Sequence, residues 1–359
     1  MLKGYDDLKQ YKKKLEHVNN IIRDISSKNP NITPITAKDC ALFEDFFAKE
    51  EKHTYGNSWI YITQGTFGIG SENLGYKYYD GKNLCAIAIY PKIEQPDIIM
   101  MYWIRPMGEN VLSIIVELSE KIKCEYNVCS YVKKLFPDQY EYLLQYSFRS
   151  AKEFPWHSSA HSEDDTYPEL IYDVEQTRHA IIESTKRSCL GGIVRGVAKL
   201  KKDNKIEITS NDFQNKAWEI VKTYFQEYGN FSNKLNISSP FDYYNMIFDA
   251  HTSGNNIDKN IIFVNDMPVG FYVLTRKQKI NTTIPYGSIM LRQHYKYLAD
   301  YWLLTLFETE ETKYVNLGGS EDLGMHNFKS KYIPTHKNYM YWVTNYPFGQ
   351  VKTAKRIDE

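Results

Sequence analysis

Tyr314-Val-Asn-Leu-Gly-Gly-Ser-Glu-Asp-Leu-Gly-Met-His-Asn-Phe-Lys-Ser-Lys-Tyr-Ile-Pro334 is the stretch on which the reading of this chain turns. Tyr314 to Leu317 reads as a strand, its buried part ending at Asn316. Gly318 and Gly319 let the backbone turn sharply, and Ser320 is placed to cap a helix over about Glu321 to Lys331, with Phe328 and Lys329 roughly two turns along it. Glycines at such a strand-loop-helix crevice admit a ligand close to the backbone. The helix N-terminus stabilises an anion, and Lys329 has the charge to neutralise an oxyanion or a phosphate. The same residues also compose a tight turn followed by a solvated lysine.

Working outward from this stretch, a helix from about Leu298 to Glu308 precedes it and a strand from Tyr339 to Thr344 follows it. Upstream lie a strand from Thr283 to Leu291 and two strands, Ile261 to Val264 and Val269 to Leu274, that flank an ordinary turn at Asn265-Asp266-Met267-Pro268. A helix from Asp212 to Tyr228 carries Phe213, Ala217, Ile220, Val221, Tyr224 and Phe225 at helical spacing, with Asp212 as its cap and Gly229 just beyond its end.

The first half repeats this order. Residues 5 to 25 form an amphipathic helix on Leu8, Tyr11, Leu15, Val18, Ile22 and Ile25. Asp39 is placed to cap a short helix with Leu42, Phe43, Phe46 and Phe47. Strands are expected at Trp59 to Thr63, Leu74 to Tyr79, Leu84 to Ile89 and Ile98 to Ile104, with Asp80-Gly81 as a hairpin signal. After Gly108 come a helix on Val111, Ile114, Ile115, Leu118 and Ile122, a strand around Tyr126 to Cys129, and a short helix around Tyr140 to Tyr146. Tyr126 to Cys129 and Tyr314 to Leu317 thus fill equivalent slots. A duplicated domain accounts for this most simply, against chance similarity of common mixed patterns. The expected division is an N-terminal helix over 1–30, a first domain over 31–165 and a second over 166–359, with residues 154 to 165 as connector.

Composition narrows the function. The 359 residues hold 44 Lys+Arg against 44 Asp+Glu, so there is no global basic field for non-specific nucleic-acid binding, although a local patch remains compatible. The 42% hydrophobic and 25% charged fractions are those of folded globular proteins. Cys40, Cys85, Cys124, Cys129 and Cys189 form an odd set without CxxC spacing, and no secretory signal is visible, so a reduced cytoplasm is the expected setting. Cys124 and Cys129 are expected to be buried as small hydrophobes. There is no run of 18 apolar residues, which excludes a transmembrane helix and leaves peripheral membrane contact open.

The Tyr314 to Pro334 stretch resembles the C-terminal signature of Fem-type aminoacyltransferases and of the catalytic domain of phosphatidylglycerol lysyltransferases, both of the GNAT superfamily. Three other stretches agree. Ile32-Thr-Pro-Ile-Thr-Ala-Lys-Asp39, with Phe43, Phe46-Phe47 and Ser58-Trp59, is similar to the opening of the lysyltransferase-like family. Tyr167-Pro-Glu-Leu-Ile-Tyr-Asp173 is similar to the lead into its second half, and Lys186-Arg187, continuing through Arg195 and Lys199, to its basic segment. The resemblance spans roughly residues 32 to 345. The chain departs from the family where Ser188-Cys-Leu-Gly-Gly-Ile-Val194 interrupts the basic run, which puts the role of Arg187 in doubt. It also departs where Arg292-Gln-His-Tyr-Lys-Tyr297 stands in place of a glycine loop that would cradle a coenzyme A pyrophosphate.

The resemblance implies an α/β (α+β) chain of two tandem GNAT-like domains, each a mixed, mostly antiparallel sheet flanked by helices, with the binding cleft at or near their interface. It implies an acyltransferase that moves an aminoacyl or other acyl group from a charged tRNA to an amine or hydroxyl acceptor, with no bound cofactor. That acceptor is a small molecule, a peptide precursor or a lipid headgroup. Lys329 would stabilise the oxyanion, helped by the backbone at Gly318 and Gly319, and Phe328 would shape the pocket. Asn316, Ser320, Glu321, Arg187, Arg195 and Lys199 complete the candidate substrate-binding set. Glu321 and Asp322 are the carboxylates nearest a general-base position, although an acid at a helix start is more often a dipole partner. Two alternatives remain: a coenzyme A-dependent N-acyltransferase, and a non-catalytic binding protein that keeps the duplicated fold.

Other motifs are weaker. The basic segment Lys186 to Lys205 reads either as a phosphate-contacting strip or as a solvated helix face and turn. His157 and His161, followed by Glu163, Asp164 and Asp165, would share a helical face suited to a metal. Pro155 and the serine-rich setting favour a loop instead, and no metal is assigned. Gly65-x-x-Gly-x-Gly70 lacks a helix behind it and reads as a loop rather than a nucleotide fingerprint.

Overall fold

The computed structural model describes residues 8–50, 52, 54–67, 74–91, 98–151, 167–184, 188–227, 241–249, 257–277, 281–291, 294–308, 312–320 and 323–347. The chain divides into two compact units. One takes residues up to Ile35, Ile62–Thr166 and the segment from Tyr339 onward, and the other takes Thr36–Tyr61 and Tyr167–Asn338. A cut at residue 165 is therefore too simple, because each unit is built from pieces distant in sequence.

In chain order the elements are α1 (Leu8–Lys28), β1 (Ile32–Pro34), α2 (Cys40–Lys49), α3 (Trp59–Phe67), β2 (Tyr76–Tyr79), β3 (Leu84–Pro91), β4 (Ile99–Met107), α4 (Val111–Tyr126), β5 (Cys129–Leu135), α5 (Pro137–Leu144), β6 (Arg149–Ser150), β7 (Glu169–Asp173), α6 (Val174–Glu183), α7 (Cys189–Asp203), β8 (Ile206–Thr209), α8 (Phe213–Glu227), α9 (Phe241–Phe248), β9 (Ile257–Val264), β10 (Met267–Lys277), β11 (Thr282–Met290), α10 (Leu298–Glu308), β12 (Tyr314–Asn316), α11 (Leu323–Ser330), β13 (His336–Asn338) and β14 (Tyr341–Thr344). The strands form two sheets, ordered β1-β2-β3-β4-β5-β14-β6 and β8-β9-β10-β11-β12-β7-β13. Position by position the two orders match. In each, the fourth and fifth strands run parallel and every other neighbouring pair is antiparallel. Even a bulge recurs, at the β3/β4 register shift in one sheet and the β10/β11 shift in the other. Each unit is thus a mixed, mostly antiparallel sheet flanked by helices, the fold expected of tandem GNAT-like domains.

The sixth strand of each sheet breaks the simple duplication. β7 follows the first repeat along the chain but pairs with β12, whereas β14 follows the second repeat but pairs with β5. The expected last strand, Tyr339 to Thr344, therefore completes the first sheet and not the second. Sequence pattern specifies a strand and its buried faces, but the partner is chosen by edges brought together only in the folded chain.

Both cores follow from amphipathic spacing. In the first, Val18, Ile22 and Ile25 of α1 pack with Ile87, Trp103, Val132 and Val343. In the second, Leu190, Ile193, Val197 and Leu200 of α7 pack with Tyr172, Val315 and the apolar face of α10.

Several local expectations are corrected. Trp59 to Thr63 is the start of helix α3: its residues are buried on every side, and a fully buried run of this length carries no strand alternation. Ser58 Oγ accepts the Tyr61 N–H at 3.3 Å, as an N-cap does. Gly65 lies inside that helix, while Gly68 and Gly70 fall outside the described residues. Tyr126 ends α4, and the next strand begins only at Cys129. Cys124 is therefore an exposed helix residue, whereas Cys129 is buried. Asp39 binds backward to the Thr36 N–H at 2.7 Å and does not cap α2. The β9–β10 turn is tighter than an ordinary turn. Asn265 and Asp266 both take positive φ, and Val264 pairs with Met267, which gives a two-residue hairpin.

Candidate active site

The quoted stretch folds as a strand, a loop and a helix within the second unit. β12 ends at Asn316, buried at 3% exposure, and the loop from Leu317 to Ser320 continues alongside the residues that lead into β7. Leu317 N–H donates to Leu170 O, Leu170 N–H to Gly318 O, and Ser320 N–H to Tyr167 O. Gly318 has φ +70, and a Cβ there would lie 2.9 Å from the ring of Tyr55. Backbone conformation and close approach therefore both require glycine.

Strands β11 and β12 pair in parallel only at Thr282–Tyr314 and Thr283–Val315, then part. Tyr55 occupies the opening. Its ring lies against Gly318, its hydroxyl donates to Pro285 O of β11 at 3.3 Å, and its N–H donates to Glu169 Oε2 at 2.9 Å. Glu169 itself is fully buried. The same Oε2 also accepts from Asn316 Nδ2 at 3.0 Å and from Asn338 Nδ2 at 3.1 Å. One carboxylate oxygen thus ties four segments together, and Asn316 Oδ1 in turn accepts the Gly318 N–H at 2.8 Å. Charge-assisted bonds of this kind fix the loop more firmly than neutral ones.

The loop that carries Tyr55 is itself anchored. Glu44 and Lys277 form a buried ion pair, and Glu44 Oε1 accepts the Trp59 N–H at 3.2 Å. Burial pulls the Lys277 ammonium below the usual lysine range, with the Glu44 carboxylate opposing that shift. Phe43 and Phe47 pack beside this pair, and Trp59 Nε1 donates to Met246 O at 3.0 Å.

Lys329 is half-buried on α11, and its ammonium donates to Gly319 O. Its own carbonyl accepts the Tyr172 hydroxyl at 2.8 Å, which pins the helix to β7. Phe328 turns toward the second core and meets Tyr332 edge-on at 6.0 Å. Structure therefore brings Asn316, Gly318, Gly319, Ser320, Phe328 and Lys329 into one loop and helix. Two expectations change. The Gly318 N–H, expected to help at an oxyanion, is already bonded to Asn316 Oδ1, and the group of Gly319 that meets Lys329 is a carbonyl. The helix is described from Leu323, and the buried Ser320 hydroxyl has no partner among the described residues, so it makes no capping bond to them. Glu321 and Asp322 lie outside the described residues.

Arg195 and Lys199 lie one turn apart on the exposed face of α7, whose first turn is capped by Ser188 Oγ accepting the Gly191 N–H at 3.0 Å. Lys201 and Lys205 of the same basic segment face Glu308 at 3.5 Å and Asp266 at 2.7 Å. Lys186, Arg187, His157 and His161 fall outside the described residues. Among the described residues, no cluster of three or more His, Cys, Asp or Glu side chains is arranged to hold a metal ion, and no helix is long and apolar enough to cross a membrane.

Sequence reasoning missed Tyr55, Glu169 and Asn338. Glu169 stood in the quoted Tyr167 to Asp173 stretch, and a lone acid inside an apolar run was its available signal. Tyr55 gave none, being one of 30 tyrosines.

The chain is a tandem pair of mixed, mostly antiparallel sheets with the candidate site on a strand-end loop of the second, the arrangement expected of tandem GNAT-like domains. No family model and no curated protein sequence matches it. Solved structures do. A Bacteroides thetaiotaomicron protein of unknown function matches with a TM-score of 0.60 at 12% identity, over 87% of this chain and 98% of its own. The C-terminal domain of a putative lysylphosphatidylglycerol synthetase from Agrobacterium fabrum matches with a TM-score of 0.57 at 9% identity, over 87% and 93%. L-PGS from Bacillus licheniformis matches with a TM-score of 0.52 at 11% identity, over 87% and 92%. The shared property is the fold.

Proposed function

We propose that the protein is an acyltransferase of the aminoacyl-transfer type, moving an acyl group from the ester of a charged tRNA to an amine or hydroxyl acceptor. The carrying observation is Lys329, a half-buried ammonium held at the strand-end loop by Gly319 O and, through its carbonyl, by Tyr172. When an acceptor attacks an ester carbonyl, negative charge builds on the carbonyl oxygen, and a pre-placed cation stabilises that charge more than it stabilises the neutral ester. Two chains that share the fold are named for lysylphosphatidylglycerol synthesis, which supports an aminoacyl donor and includes a lipid headgroup among the acceptors.

Tyr55 supports the choice of donor: its ring lies against Gly318 and its hydroxyl donates to Pro285 O where β11 and β12 part, and the stretch from Arg292 to Tyr297 has no glycine to cradle a pyrophosphate. Arg195 and Lys199 supply exposed positive charge suited to a polyanionic carrier.

The test is transfer from a pool of labelled aminoacyl-tRNAs to soluble amines, polyols and phospholipid vesicles. Lys329→Ala is expected to lower the rate about 100-fold, the usual cost of removing one oxyanion donor. An unchanged rate would remove Lys329 from the chemistry.

A further inference from the structure

We propose that His326 is the general base of this reaction and that Ser320 shares with it a subsite for the acceptor hydroxyl, an inference that rests on the acyl-transfer reading above. His326 and Lys329 are three residues apart on α11 and so share a face. The His326 ring packs on Tyr167 with centroids 5.1 Å apart, and Ser320 reaches the same residue through its N–H, 3.3 Å from Tyr167 O. Around this one tyrosine lie two buried polar atoms, Ser320 Oγ and His326 Nδ1, that have no partner among the described residues. Native proteins leave few such atoms unpaired, and each costs about 1–3 kcal/mol. Both belong to residues that contact Tyr167, on the loop and helix that carry Lys329, and a bound group would satisfy them.

The chemistry of these atoms selects the ligand. A neutral imidazole nitrogen without a proton can only accept, and a serine hydroxyl accepts or donates, so the missing group must carry an O–H or N–H. Among the described residues, Lys329 on the same helix, Lys337 on β13 and Tyr167 are the titratable groups that face His326. Two ammonium groups repel a protonated amine, which leaves a hydroxyl as the better fit. Burial, then Lys337 and Lys329, hold His326 below the ordinary histidine value of 6.5, which favours the neutral ring, the form that accepts a proton.

In the step itself, the acceptor hydroxyl gives its proton to His326 as its oxygen bonds to the ester carbonyl carbon. The bond from that carbon to the carrier oxygen then breaks, and the carrier oxygen takes the proton back from the imidazolium. Lys329 holds the intervening oxyanion.

The experiment measures transfer from labelled aminoacyl-tRNA to glycerol and to anionic phospholipid vesicles, as a function of pH, for the wild type, His326→Gln, Ser320→Ala and Lys329→Ala. It is paired with the NMR titration of the His326 ring in the full chain. His326→Gln is expected to lose about 100-fold at pH 7 and to lose the acid limb of the pH profile. Ser320→Ala should raise KM more than it lowers kcat. The ring should titrate below 6.5 and move upward in Lys337→Gln. If the wild type and Lys329→Ala differ while His326→Gln keeps the wild-type rate and pH profile, the base assignment alone falls. A ring that titrates at or above 6.5 also overturns it, whatever the donor. A wild type that transfers to no acceptor overturns the acyl-transfer reading itself.

Discussion

The two sheets of this protein have the same strand order but differ at one place, the parallel pair. In the first sheet β4 and β5 stay paired through five residues, from Met100–Cys129 to Ile104–Lys133. In the second, β11 and β12 part after two. A zipped pair satisfies its own backbone and needs nothing between its strands. A parted pair leaves one edge of β11 without a strand partner, and here the hydroxyl of Tyr55 meets Pro285 O on that edge. The same architecture thus makes a closed structural module once and an open, furnished one once. The candidate chemistry, Lys329 with Ser320 and His326, sits on the loop and helix that follow the parted strand.

The largest effect is expected from Glu169→Ala, which removes an acceptor shared by three N–H donors, two of them in buried bonds, and should cost about 3–5 kcal/mol in chemical denaturation. Glu169→Gln keeps an oxygen in place and should cost markedly less. Equal losses would mean that shape, not hydrogen bonding, holds the opening. Next comes Gly318→Val, which meets the Tyr55 ring and a positive φ together, at an expected cost of about 2–4 kcal/mol. Adding Tyr55→Ala should recover part of that cost, and purely additive losses would show that the tyrosine is not what fills the gap. The smallest effect belongs to the zipped pair. Ser130→Ala removes the acceptor of the Trp103 indole N–H, 3.1 Å away across β4 and β5, and should cost about 1–2 kcal/mol without changing transfer activity. A lost activity there would break the contrast between a structural and a functional pair.

Much of the second unit was legible in its sequence. α10 runs from Leu298 to Glu308 as its apolar spacing predicts, α8 starts directly after Asp212, the β9–β10 hairpin falls at the expected turn, and β12 ends at Asn316. Such elements are set by neighbours in sequence. The errors have a common source in longer-range contacts. Trp59 to Thr63 has the composition of a strand, and its burial on every side leaves no periodicity in the sequence to tell a helix from a strand. The Asn265-Asp266 turn is tighter than its residues announce, because strand twist selects positive φ at both. Within the candidate site, Asn316, Gly318 and Lys329 were found from their own motif. Their supports, Glu169, Tyr55 and Asn338, come from three other segments.

By itself the sequence determined the spacing of helices and strands, the repetition of their order and the glycine-rich loop that ends at a lysine-bearing helix. These depend on periodicity and on backbone freedom at single residues, which local sequence encodes. Tertiary structure alone decided that β7 and β14 exchange sheets, that one parallel pair stays closed while the other parts, and that a tyrosine more than two hundred residues away fills the gap. Strand edges and buried acceptors take whichever partner the folded chain brings within hydrogen-bonding reach, and separation along the chain carries no trace of that choice.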